Sequence, residues 1–178
     1  MLRPATVADA AAIAAIYNHY VLHTVVSFEE EAVSTADMAG RMQEIAAAGL
    51  PWFVWDEAGR VLGYAYASKW KSRCAYRHSV ESTVYLDQAA TGRGLGTALY
   101  TALIAALRER KIHGIIGGVA LPNDASLGLH EKLGFKQVAR FKEVGWKFEK
   151  WIDVGYWELI LDPPAILHAC HPTSSSPP

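Results

Sequence analysis

The stretch Val80–Thr97, Val-Glu-Ser-Thr-Val-Tyr-Leu-Asp-Gln-Ala-Ala-Thr-Gly-Arg-Gly-Leu-Gly-Thr, gathers the residue types in this chain best able to do chemistry. Gly92, Gly94 and Gly96 stand at alternate positions around Arg93, just ahead of a helical apolar run at Leu95, Leu99, Leu103 and Leu107. A strand that ends in a glycine turn and opens a helix aims free N–H groups and the positive helix end at one point, which suits an anion and above all a phosphate. Glycine admits the phosphate oxygens closely, and a guanidinium grips two of them. In the alternating half, Val80, Ser82, Val84 and Leu86 share one face, and Glu81, Thr83 and Tyr85 share the other. Glu81 thus lies in an otherwise apolar, small-residue strand. A carboxylate there either faces a cleft, where partial burial lifts its pKa toward that of a general base, or pairs with a cation such as Arg73 or Arg77. The residues alone leave both readings open.

Other glycine signatures fail on spacing. A dinucleotide fingerprint needs glycine or alanine where Thr97 stands, and a P-loop needs a Gly-Lys-Ser/Thr ending that is absent. The histidines at 19, 23, 78, 113, 168 and 171 show no ligand spacing with cysteine or acid, so no metal is expected. Lys69, Lys71, Arg73 and Arg77 interleave with Trp70 and Tyr76. Such a loop is a solvated surface, or it holds the carboxylate and other acidic oxygens of a small amino acid. A formal net charge of −1 over 178 residues argues against nucleic acid and against an anionic membrane as partner. Two cysteines and no apolar leader or spanning run fit a reducing cytoplasm.

Elements that position these residues follow from periodicity and punctuation. Met1–Ala5 reads as a strand, Thr6–Asp9 as the start of a helix with Ile13, Ile16, Tyr17 and Tyr20 inward, and 23–31 as a loop over the sheet. Ser34 caps a second helix that buries Met38, Met42 and Ile45 and stops at Gly49. Strands follow at 51–55 and 61–68, then the central strand 79–86, a helix over 92–110, a buried strand over 112–120 and a helix over 124–133. Strands at 135–141 and 151–161 close the domain, separated by a loop around Gly145. The order implies one α/β (α+β) domain over 1–161, with a mixed, twisted central sheet of about six or seven strands and helices on both faces. Residues 162–178, rich in proline and serine, read as a flexible tail.

Thr91–Gly96 resembles the (Q/R)-x-x-G-x-G/A acetyl-CoA pyrophosphate loop of the GNAT superfamily of N-acetyltransferases, with Thr91 in place of the usual Gln or Arg. That departure removes one side-chain contact and leaves the backbone donors intact. Val80–Tyr85, Leu121–Phe135 and Trp151–Trp157 resemble the branch that acetylates phosphinothricin and methionine sulfoximine or sulfone, and the likeness runs from about residue 2 to 161. It implies the GNAT fold, acetyl-CoA as co-substrate, and transfer to the α-amine of a small amino-acid analogue by a homodimer. Glu81 is then the base. His130 stands where many relatives carry tyrosine, and is either the acid or second base or a ring packed against the sheet. Gly92, Arg93, Gly94, Leu95, Gly96 and Thr97 would hold the diphosphate. Asn123 and Ser126 would hold the pantetheine arm beside the backbones of Val84 and Leu86, with an N–H of Val84, Tyr85 or Leu86 facing the developing oxyanion. Phe28, Lys71, Arg73, Tyr76, Glu81 and Thr83 would contact the acceptor. Rival expectations are another small amine, a protein N-terminus, or an acyl-CoA sensor without turnover.

Overall fold

The computed structural model describes residues 1–161, so the expected tail lies outside the described residues. Seven strands form one mixed sheet: β1 (Leu2–Pro4), β2 (Trp52–Glu57), β3 (Arg60–Lys69), β4 (Ser79–Leu86), β5 (Gly114–Ala120), β6 (Lys136–Lys147) and β7 (Lys150–Ile160), in the order β1-β2-β3-β4-β5-β7-β6. Helices α1 (Ala10–His23) and α2 (Thr35–Ala47) cover one face, burying Ile13, Ile16, Met38 and Met42 against Val54, Val61 and Tyr64. Helix α3 (Leu95–Glu109) covers the other with Leu99, Leu103 and Leu107, beside α4 (Asp124–Lys132) and the buried Phe135 and Trp157. Every strand pair is antiparallel except β4–β5.

Local chemistry sets most boundaries. Ser34 Oγ accepts the Asp37 N–H at 3.1 Å to start α2, and Asn123 Oδ1 accepts the Ser126 N–H at 3.1 Å to start α4. The β2–β3 turn puts Ala58 and Gly59 both at positive φ, the two-residue geometry that matches strand twist. Two expectations need correction. The helix expected from Gly92 begins at Leu95, because Gly92 and Gly94 are left-handed (φ 72° and 78°) and cannot continue a right-handed helix; a 3-10 turn Gln88–Ala90 also separates it from β4. Gly145 lies in no loop: β6 runs through it, and the chain reverses at Phe148 and Glu149, both at positive φ. A bulge between Phe141 and Gly145 carries Glu143, whose N–H donates to Asp153 Oδ1 at 2.9 Å.

Candidate active site

The site arises where β4 and β5 part. Their parallel pairing covers only Ser79–Glu81 against Gly114–Ile116. The Asp87 N–H donates to the Leu62 carbonyl at 2.9 Å, which fixes the alternation of the β3–β4 ladder. Glu81, Thr83 and Tyr85 therefore give their backbone groups to β3, while Ser82, Val84 and Leu86 turn theirs toward the β5 side. Past Glu81 that side is a gap. It offers the edge of a strand to an amide-bearing chain, which suits a pantetheine arm. The Tyr85 N–H is thereby removed as an oxyanion donor: it faces β3, and its ring packs against Tyr17, Tyr20 and Tyr64. Val84 keeps that capability.

At the far end of the gap, left-handed Gly92 and Gly94 leave α3 to open with the N–H groups of Leu95, Gly96 and Thr97; the first backbone bond of the helix comes from Ala98 to Gly94. Glycine is what permits this turn, and the resulting cluster of donors suits a diphosphate. Arg93 Nη2 donates to Glu57 Oε1 at 2.6 Å, both side chains half exposed, so its reach toward an anion competes with this pair.

A cavity of about 300 Å³ fills the gap. Phe28, Tyr66, Glu81 and Thr83 line it on the α1 side, and Tyr100, Asn123, Ser126 and His130 on the α3 side. Glu81 is half buried, and among the described residues neither Arg73 nor Arg77 pairs with it. Burial raises its carboxyl above the ordinary range, and the positive charge of Lys71 opposes that rise. A Cβ at Gly118 would stand 3.3 Å from Glu81 Oε1 and 3.3 Å from the Tyr156 ring.

His130 is 2% exposed. Its Nδ1 lies 2.8 Å from the Ser126 carbonyl, which assigns the ring proton there, and Nε2 lies 3.2 Å from the Tyr100 hydroxyl. The Tyr100 hydroxyl also lies 3.2 Å from Ser82 Oγ, so its single proton goes either to that oxygen or to Nε2. Burial pushes the imidazole pKa down, the Ser126 carbonyl opposing, and burial pushes the Tyr100 hydroxyl up. The histidine is thus neutral near pH 7 and presents an acceptor, not a proton, at Nε2.

The basic loop is the clearest departure. Arg73 and Tyr76 line a different hollow with Cys74 and Arg77, beside Ala48 and Leu50. Cys74–Tyr76 form a 3-10 turn there, and neither Arg73 nor Tyr76 lines the gap. Lys71 shares that hollow, with Nζ 4.6 Å over the Trp70 ring, and reaches Glu81 by charge alone. Residues that sequence reasoning missed include Tyr100, Tyr66 and the pair Gly117–Gly118. A Cβ at Gly117 would stand 2.4 Å from His130 Nε2, so the adjacent glycines make room for His130 and Glu81 in turn. Two glycines inside an apolar strand were the available signal.

The family model "Acetyltransferase (GNAT) domain" matches residues 2–155. The L-methionine sulfoximine/L-methionine sulfone acetyltransferase of Salmonella typhimurium is 38% identical over 169 residues, 95% of this chain and 99% of the relative. Among solved structures, a phosphinothricin acetyltransferase from Sinorhizobium meliloti in complex with acetyl-CoA superposes with a TM-score of 0.88 at 35% identity, covering 95% of each chain. A ribosomal-protein-alanine N-acetyltransferase from Brucella melitensis gives 0.88 at 36% identity, covering 90% of this chain and 99% of that one.

Proposed function

Because the chain belongs to the GNAT acetyltransferases, we propose that it transfers the acetyl group of acetyl-CoA to the α-amine of a small amino-acid analogue of the phosphinothricin, methionine sulfoximine or methionine sulfone type. The observation that carries this reading is Glu81: a half-buried carboxylate of raised pKa, in no ion pair among the described residues, facing the gap where the sheet opens. Acetyl-CoA supplies a thioester carbonyl. Glu81 takes the proton of the acceptor amine, directly or through one water, and releases the lone pair for attack. The Val84 N–H, on the edge of the gap, is the donor for the oxygen that gains negative charge. Tyr100 and His130 line the opposite wall and are the groups able to return a proton to the departing sulfur. Because His130 is neutral with its ring proton on Nδ1, that proton comes from the Tyr100 hydroxyl, which gives up its hydrogen bond to Nε2 or Ser82 Oγ, and the second ammonium proton, lost as the amide forms, restores the tyrosine. Gly92, Gly94, Leu95, Gly96 and Thr97 hold the diphosphate by backbone, Arg93 after leaving Glu57, and Asn123 and Ser126 hold the arm.

A small, walled cavity supports a free amino acid as acceptor, with Phe28, Tyr66 and Thr83 around the amine. The likeness to a ribosomal-protein-alanine N-acetyltransferase favours a second reading, the α-amine of a protein N-terminus. A homodimer and a cytoplasmic setting belong to the same proposal. The first is supported by exposed Val138, Val144, Trp146 and Trp151 on the β6–β7 hairpin, and the second by the exposed thiol of Cys74. Among the described residues, no helix is long and apolar enough to cross a membrane.

The test is thiol release from acetyl-CoA with phosphinothricin, methionine sulfoximine, methionine sulfone, spermidine and a peptide beginning with alanine. Turnover on one or more of the three analogues, well above spermidine and the peptide, is expected. Preference for the peptide would transfer the assignment to protein N-termini. Tight acetyl-CoA binding without turnover on any acceptor would indicate a sensor.

A further inference from the structure

The wall of the cavity that faces the acceptor is built by the loop over residues 24–33, which brings Ser27 and Phe28 to the site. On its helix side this loop is tied many times. Ser27 Oγ lies 2.7 Å from the Tyr17 hydroxyl, Glu29 takes Tyr17 at 2.8 Å and Arg41 at 2.7 and 3.0 Å, and Asn18 bonds the backbone of Val33 at both its N–H and C=O. On its sheet side it rests on the β6–β7 hairpin at two points. Lys147 Nζ donates to the Ser27 carbonyl at 2.5 Å, and the Phe28 ring lies where a Cβ at Gly145 would stand, 2.2 Å from Cε1.

Lys147 is 1% exposed, and burial lowers its pKa against the opposing charges of Glu30 and Glu29. Its ammonium has the Ser27 carbonyl and the Phe148 ring, 5.2 Å away, as near partners. Burying the ammonium costs free energy, which the Ser27 carbonyl and the charges of Glu30 and Glu29 offset; the hydrogen bond exists only while the loop is seated, and it ties Ser27 to the hairpin. We infer that Lys147 and Gly145 are positioning residues: the hairpin clamps Ser27 and Phe28 and thereby sets the shape of the acceptor wall, leaving the acetyl-CoA side untouched. This rests on the acceptor site proposed above.

The experiment compares wild type, Lys147→Met and Gly145→Ala, with Lys150→Met as a surface control. Acceptor KM, acetyl-CoA KM and kcat are measured together with hydrogen–deuterium exchange of peptides spanning 24–33. The clamp requires an acceptor KM raised about tenfold, the size of one charge-assisted hydrogen bond, an acetyl-CoA KM within twofold of wild type, and faster exchange confined to 24–33. Unchanged exchange and unchanged acceptor KM in both variants would overturn it. So would a parallel loss in both KM values with faster exchange across the whole hairpin. Should Lys147→Met fail to fold, Gly145→Ala decides, since it keeps the ammonium and displaces only the ring. If wild type acetylates no acceptor offered, the proposed function fails by itself, and the exchange data alone still decide the clamp.

Discussion

Glu81 meets two opposed demands, and they give the site its clearest signatures. As the proposed base it must be ionised, so kcat/KM is expected to fall as pH drops through its raised pKa, and Glu81→Gln should lose about 10²–10⁴-fold in kcat without losing acetyl-CoA affinity. Lys71 favours the carboxylate. Lys71→Met should therefore move the acidic limb of the pH profile to higher pH; a limb that stays or moves down would exclude the coupling. The same burial costs stability. A carboxyl whose pKa is raised in the folded state is penalised above that pKa, and the penalty vanishes below its unfolded value. Glu81→Gln should thus raise Tm at pH 7.5 and lose that advantage near pH 4, as scanning calorimetry would show. His130 lies across the cavity with both ring nitrogens engaged, so His130→Gln, which keeps an acceptor, should retain more activity than His130→Phe.

Among the elements, β5 decides how much of the site exists. Its Gly117 and Gly118 make room, one after the other, for the His130 ring and the Glu81 carboxylate. Gly117→Ala places a methyl 2.4 Å from a buried ring. It is expected to destabilise by about 1–3 kcal/mol in urea melts and to abolish activity, whereas Gly128→Ala, on open helix surface, should be silent or slightly stabilising. The alternation of Val80–Leu86 and the glycines before Leu95 were readable, because a period of two and a left-handed turn are local properties of the chain. Gly145 reads as a loop residue in the sequence but lies within β6, because what requires glycine there is a Phe28 ring more than a hundred residues away. Charge and aromatic content point Arg73 and Tyr76 to the site, whereas in the structure they line a separate hollow. The parting of β4 and β5 after Glu81 is a tertiary event that no window of sequence records.

Across the whole molecule, the N-terminal strand is fastened by Arg3, which bonds Asp9 at 2.7 and 2.9 Å and Asp56 at 2.9 Å. The guanidinium lowers the Asp9 carboxyl to about 2 from its ordinary 3.8. A depressed carboxylate pKa stabilises above the unfolded value and is lost as pH falls through the folded one. Asp9→Asn should cost about 1–2 kcal/mol at neutral pH, discounted for the partly exposed arginine, and the difference from wild type should close between pH 4 and 2 in denaturant titrations. On a larger surface, Trp151→Glu should shift the dimer expected from the hairpin to monomer in light scattering, with the fold intact. The fold class, the strand count and the glycine turn ahead of α3 are legible from periodicity and spacing, while only the structure separates the exposed aromatics of the hairpin from the buried Trp157. The central claim, a Glu81-assisted transfer to an α-amine, is tested most directly by single-turnover acetylation of the best analogue across pH by wild type and Glu81→Gln, both saturated with acetyl-CoA. An acidic limb in wild type, absent from a far slower variant, is expected. Equal rates, or the same limb in both proteins, would contradict it.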